Sequence, residues 1–326
     1  MRTLTQKKAN LPKWGNNARA VSKHQKKLLL KRFAPVYLLI LPAAAFTFVF
    51  SYIPLGGLIV AFKDYDMFKG FLESPWAGNY GMANIIAIFQ NEELMGSISN
   101  TVILSVLNLL ISFPAPVILA LMINELRLGK FKKVVQTISY MPHFLSWISV
   151  IGLTMVFFGE YGPINDIFSL ILGDDYTRVL YLSKQEYFLP ILLGLNLWKT
   201  VGWNSIIYIA AMAAVDPQLY EAAMIDGAGK WKQMLNITLP GISVTIILIF
   251  VMNIGGILNS NFELVFGLKN AFIDFETIDT VIYKNGLQQR GYSVATALGL
   301  VRGIIGLGLT LLANGASKKI NGVSIF

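Results

Sequence analysis

The chain has 326 residues, 55% of them hydrophobic and only 14% charged, and a mean hydropathy of +0.58, more than a water-soluble globule of this size tolerates. With no cysteine and two isolated histidines, His24 and His143, disulfide frameworks, thiol chemistry and Cys- or His-rich metal sites are set aside. The net charge of +9 is concentrated at one end: residues 1–32 carry ten Lys/Arg and no acid, leaving 17 basic against 18 acidic residues elsewhere.

In chain order, the basic tail 1–32 comes first and leads straight into an apolar run. The anionic cytoplasmic leaflet attracts such a tail by about 1 kcal/mol per Lys or Arg, so membrane lipid is its expected partner and nucleic acid is not. "LPAAAF" has the small residues of a signal-cleavage site, but the apolar run continues to Phe62, which predicts a retained anchor. Crossing a bilayer takes about 20 apolar residues in a helix. Six stretches qualify: 34–62, 97–123, 134–158, 187–213, 241–260 and 293–315. None alternates as a lipid-facing strand must, and backbone groups in lipid must be satisfied within the segment. The prediction is an all-α, polytopic membrane protein with six transmembrane helices.

The loops orient it. Arg127, Lys130, Lys132 and Lys133 lie between the second and third spans and Lys318-Lys319 follow the last, whereas 159–186 holds Glu160, Asp166, Asp174, Asp175 and Glu186 against Arg178 and Lys184. Positive loops stay inside, which places both termini in the cytoplasm. The outer stretch 162–173, "GPINDIFSLILG", has an apolar side at helical spacing and reads either as an interfacial helix or as a docking face. Gly299 and Gly303 in the sixth span, and Gly255-Gly256 in the fifth, point to close helix approach.

The connection between the fourth and fifth spans, "YEAAMIDGAGKWKQMLNITLP", is polar and punctuated by glycine. Asp216-Pro217 opens a short helix to about Ile225. Gly227 and Gly229 permit a sharp turn, and a second helix, Lys230 to Ile237, is expected to stop before Pro240. Ala222, Ala223 and Ala228 leave little bulk on the bend, while Glu221 and Asp226 offer charge, as a docking element would.

Glu221-Ala222-Ala223, Gly227 six residues after the Glu, nine further residues, and then Ile237-Thr238-Leu239-Pro240 resemble the EAA loop of binding-protein-dependent ABC importer permeases. "FAPVYLLILP", "SPWAGNY", "SYMPHFLSWISV" and "YSVATALGLVRGIIG" are similar to the branch that imports complex oligosaccharides; acidic ones such as pectin or alginate fragments are mildly favoured if the in-span cations Lys199 and Arg302 line the path. The resemblance implies a type I ABC importer permease fold over 33–326, with a coupling loop at 214–240, in the bacterial plasma membrane. It also implies a second homologous permease, a cytoplasmic ABC ATPase dimer that binds the ATP and Mg, and an extracytoplasmic sugar-binding protein. No phosphate-loop motif occurs in this chain, so ATP hydrolysis is expected on the partner, with no cofactor here.

Two charges fall inside predicted spans, Lys199 and Arg302, where each costs roughly 2.5 to 3.5 kcal/mol on insertion scales and usually faces a cavity. One reading places them on the solute path with Asn196, Asn253 and Asn259, and with Trp198 and Trp203 stacking on sugar. The other pairs them with carbonyls or with the partner permease. Two rival functions remain open. An ion-coupled carrier would need acids at mid-span, and none occurs there; a non-transporting scaffold would recruit a soluble protein without solute flux.

Overall fold

Proline and glycine decide where the helices of this chain break. The structure, a computed structural model, describes residues 23–126 and 128–322, so most of the basic tail and Arg127 lie outside the described residues. The chain divides at Gly57 into two units. The first holds α1, Lys23–Thr47, followed by the π turn Phe48–Tyr52; the apolar stretch Phe33–Phe62 is helical throughout.

In the second unit α2, Ala83–Gln90, precedes α3, Glu92–Ser112. Asn91 caps α3, its side chain accepting a hydrogen bond from Leu94 N at 3.1 Å, and Glu92 and Glu93 favour the positive end of the helix dipole. Pro114, permitted in a first turn, starts α4, Pro114–Asn124, and Glu92–Asn124 forms one apolar span.

The third predicted span, 134–158, is not one helix. α5, Gly129–Tyr140, ends in the tight turn Met141–Phe144, and α6, Trp147–Phe157, leaves at 100° to it. Pro142 supplies no N–H and clashes with the preceding helical turn, while Ser146 caps the new helix by accepting from Ser149 N at 3.1 Å. α7, Pro163–Leu172, follows as a short amphipathic helix. Asn165 holds it down, donating to the Gly159 and Val179 carbonyls.

α8, Gln185–Ala213, is 29 residues long, about 43 Å at 1.5 Å per residue. α9, Pro217–Ile225, and α10, Lys230–Gln233, form the connection after it. Contrary to the sequence expectation, the helical path does not stop before Pro240. It continues through the π turn Met234–Thr238 and Leu239–Gly241, then bends by 58° into α11, Ser243–Gly255. A π turn skips one donor in the ladder and so accommodates the missing N–H of Pro240. α12, Phe262–Leu268, and α13, Ile278–Val281, precede the π turn Ile282–Gln288 and the long α14, Tyr292–Asn321.

Among the described residues three helices are long and apolar enough to cross a membrane, or up to five if each bent pair counts as one span. α8 has the length, but Asn196, Lys199 and Asn204 lower its hydropathy. Three apolar clusters bind the second unit. One joins Leu104 of α3, Ile151 of α6, Phe188 and Leu192 of α8 and Leu264 of α12. A second joins Ile88, Leu94, Ile278 and Leu298, and a third joins Val117, Ala120, Tyr208, Met212 and Ile242. Elsewhere large apolar side chains face outward, Ile148 at 79% and Leu312 at 73% exposure, a surface suited to cover by hydrocarbon or by another protein.

Close approach occurs at Gly255, as the sequence indicated, and at Gly202, which it did not single out. Gly303 has open space around it, whereas Gly255 sits against α14 and buried Gly202 meets the end of α5. A Cβ on Gly202 would lie 1.9 Å from the Ser139 carbonyl oxygen, and a backbone atom yields only if a helix shifts. Gly202→Ala is therefore expected to destabilise the purified protein by about 1–3 kcal/mol. Gly152→Ala, with nothing within 4 Å, should leave the thermal unfolding midpoint in detergent unchanged or raise it.

Candidate functional site

α3, α4, α8 and α11 surround a cavity of about 950 Å³. Its wall is amide-rich: Asn108 from α3, Asn196 and Asn204 from α8, Asn253 from α11, and Asn259 and Asn261 from the segment after α11. Asn196 donates to Asn108 Oδ1 at 3.1 Å, and Ser112 donates to the same oxygen at 3.3 Å. Among the described residues none of the side chains lining the cavity is charged. Such a surface offers donors and acceptors at fixed positions over an apolar background, the means by which pockets orient polar ligands.

Of the residues the sequence proposed for a path, Asn196, Trp203, Asn253 and Asn259 line this cavity; Trp198, Lys199 and Arg302 do not. Trp198 is 46% exposed away from it. Lys199 is buried, donates from Nζ to the His143 carbonyl at 2.8 Å and lies 5.0 Å from the Trp147 ring centroid. That carbonyl belongs to the turn where α5 ends, so the ammonium satisfies a backbone acceptor freed by the Pro142 break. One helical turn on, Trp203 stacks on the His143 ring at 4.4 Å between centroids and 3° between planes. Lys199 and Trp203 thus hold the broken helix from one face of α8.

Arg302 pairs with Asp279, and Asp279 Oδ2 accepts from Ser260 N at 3.0 Å and Ser260 Oγ at 2.7 Å. Nearby, Glu276 bonds Lys269 and accepts from Thr280 Oγ1 at 2.6 Å, while Lys284 reaches Glu93 at 2.7 Å and Glu276 at 3.7 Å. Sequence reasoning missed this cluster, because its acids and bases come from three separate segments. Burial opposes ionisation of Glu276, but bonds from Lys269 and Thr280 outweigh it and hold its carboxyl below the usual range; Glu93 raises Lys284.

The connection after α8 is an exposed elbow. The Asp216 side chain caps α9, accepting from Gln218 N at 2.9 Å. Gly227 turns the chain with φ +74°, a left-handed conformation that other residues adopt only with strain. Ala228 N closes back on the Ala223 carbonyl at 2.8 Å, and Gln233 Nε2 donates to the Ala228 carbonyl at 2.8 Å. Two ties brace the elbow: Tyr220 OH to Thr238 Oγ1 at 2.9 Å, and Lys230 to Glu125 at 3.4 Å. Glu221, Ala222, Asp226 and Gly227 face outward, Ala223 and Ala228 are half-buried, and Pro240 lies at the exposed far end. Leu219, Met224, Ile225, Trp231 and Leu235 add exposed apolar side chains, and neither Glu221 nor Asp226 forms an ion pair among the described residues.

A helical membrane protein with an uncharged polar cavity and a braced, apolar elbow has the parts of a transport subunit. The chain belongs to the family of binding-protein-dependent transport system inner membrane components, whose model matches residues 83–318. It is a multi-pass inner membrane protein. It is 40% identical over 307 residues to the polygalacturonan/rhamnogalacturonan transport system permease protein YteP of Bacillus subtilis (strain 168), covering 93% of this chain and 94% of that one. Its fold matches a chain in the crystal structure of a bacterial ABC transporter involved in the import of the acidic polysaccharide alginate, with TM-score 0.83 and 37% identity over 91% of this chain and 99% of that one. A bacterial alginate ABC transporter in complex with an alginate pentasaccharide-bound periplasmic protein matches at TM-score 0.82, with 37% identity and the same coverage.

Two outcomes are expected from this geometry. Lys199→Met should lower stability by about 1–3 kcal/mol, since the His143 carbonyl loses its donor; thermal unfolding of the purified protein reads this. Glu276, depressed from an ordinary 4.5, contributes stability above that value and loses it as pH falls through its lower folded pKa. Lys284, raised from an ordinary 10.5, contributes below that value and loses it as pH climbs past the raised one. Unfolding midpoints should therefore fall off at both pH extremes, and Glu276→Gln should flatten the acid limb.

Proposed function

We propose that this chain is one permease of an ATP-driven importer for acidic oligosaccharides, working beside a second, homologous permease in the bacterial plasma membrane. A cytoplasmic ABC ATPase dimer binds and hydrolyses the ATP with Mg, and this chain carries no hydrolytic step and no cofactor. An extracytoplasmic binding protein delivers the sugar. The permease domain spans 33–326, behind the basic cytoplasmic tail 1–32. Six spans, with α8 as the fourth, put both termini in the cytoplasm and the elbow on the ATPase side.

The observation that carries this reading is the elbow. Its small residues at Ala222, Ala223 and Ala228 admit a close partner, its apolar side chains call for cover, and Glu221 and Asp226, in no ion pair among the described residues, supply charge for orientation. Nucleotide closes the ATPase dimer, and closure that favours one arrangement of the permease pair shifts the population between outward- and inward-facing forms. The cavity then receives the sugar, with Asn196, Asn253 and Asn259 bonding hydroxyls and Trp203 offering a ring face. An acidic substrate is supported by the names of the relatives, whose cargoes are polygalacturonan or rhamnogalacturonan and alginate.

The test is reconstitution of the chain with its accompanying permease and ATPase, followed by addition of binding protein loaded with different oligosaccharides. Oligouronate-loaded protein should stimulate ATP hydrolysis and uptake, and Ala223→Cys should cross-link to the ATPase. Gly227→Val, straining the turn by about 1–2 kcal/mol, should reduce stimulated hydrolysis while the complex still assembles. Recruitment of the ATPase without solute flux would favour the scaffold, and uptake that persists without the ATPase would favour the ion-coupled carrier.

A further inference from the structure

Arg302 does not line the amide-rich cavity, yet its partners lead directly to it. Asp279, the acid it pairs with, spends its second oxygen on the N–H and hydroxyl of Ser260, and Ser260 stands between Asn259 and Asn261, both on the cavity wall. Ser260 Oγ also meets Thr277 Oγ1 at 2.9 Å. The Asp279 segment is itself anchored to α3: Ile278 N donates to Thr101 Oγ1 at 2.9 Å, and Asn100 Nδ2 donates to the Glu276 carbonyl at 3.0 Å.

The same wall is fixed a second time by α14. A Cβ on Gly255 would lie 3.0 Å from Thr310 Oγ1, and one on Gly306 would lie 3.4 Å from the Gly255 carbonyl. Arg302, Gly306 and Thr310 fall four residues apart, on one face of α14. Residues 256–261, which have left the α11 ladder and have no helix of their own, are thus held at one end by small-residue packing and at the other by an ion pair acting through Asp279 and Ser260.

We infer that Arg302 is a positioning residue: through Asp279 and Ser260 it sets where the amides of Asn259 and Asn261 stand in the cavity, so that α14 governs sugar selectivity without touching sugar. This rests on the cavity being the solute path. An uncharged wall discriminates by placement of hydrogen-bonding groups, and discrimination of that kind is lost when donors and acceptors shift by a fraction of an ångström.

Because the chain has no cysteine, the clamp can be read without transport. Asn259→Cys and, on another wall, Asn108→Cys are introduced singly into the intact complex in proteoliposomes, and labelling by a water-soluble thiol reagent is followed with and without Arg302→Met. The expected result is a change of roughly fivefold in labelling at 259 and less than about twofold at 108, as for local rather than global loosening. Asp279→Asn should reproduce it, the double variant should add nothing, and Arg302→Lys should largely restore the original rate. In uptake, the ratio between two oligouronates that differ in hydroxyl pattern should shift for Arg302→Met. Unchanged labelling at 259, equal changes at 259 and 108, or additive effects of the two variants would overturn the clamp. A wild-type complex that imports no sugar would overturn the path reading and leave the labelling result to decide the clamp on its own. Altered labelling at 259 with an unchanged uptake ratio would overturn the selectivity role.

Discussion

Hydrocarbon offers no hydrogen bonds, and a backbone group that leaves a helix inside it must find a partner within the protein. This chain leaves its helices repeatedly, and three of the breaks, two of them within apolar stretches and one on the exposed elbow, are met by particular solutions. At Pro142 the freed His143 carbonyl receives the Lys199 ammonium. At Pro240 a π turn removes the need for the donor that proline lacks. After Gly255 the Ser260 N–H is taken by Asp279, whose charge Arg302 balances. The charges that look most costly in the sequence are therefore what make the breaks affordable.

That constraint also explains what was legible beforehand. Continuous apolar runs marked most of the helical stretches, and the short helix from Asp216-Pro217 to Ile225 followed from its cap and its first-turn proline. The sharp fold inside residues 134–158 carried a local signal too, since Pro142 is followed four residues later by Ser146, a good cap. An uninterrupted hydropathy profile hid it, because hydropathy records burial in lipid and is blind to direction. The continuation of the helix through Pro240 was hidden for the opposite reason: proline normally marks an end, and only the wider turn before it permits otherwise.

The site was legible only in part, and sequence distance is the reason. Asn196, Trp203, Asn253 and Asn259 are polar or amphipathic residues in apolar surroundings and stand out singly. The partners of Lys199 and Arg302 lie 56 and 23 residues away, beyond any helical spacing, so a charge in a span could be noticed but not assigned. Asn108, Asn204 and Asn261 join the same wall, and the signal that would have found them was simply the recurrence of asparagine on three apolar segments.

The two ties on the elbow bear on how it responds to load. With Tyr220 fastened to Thr238 and Lys230 to Glu125, the knuckle is tied across its angle and to the foot of α4, directly ahead of the Ile242 corner where the chain bends into α11. If the elbow is where the ATPase docks, as proposed, a displacement there reaches α11, the helix that carries Asn253, through the bend at Ile242.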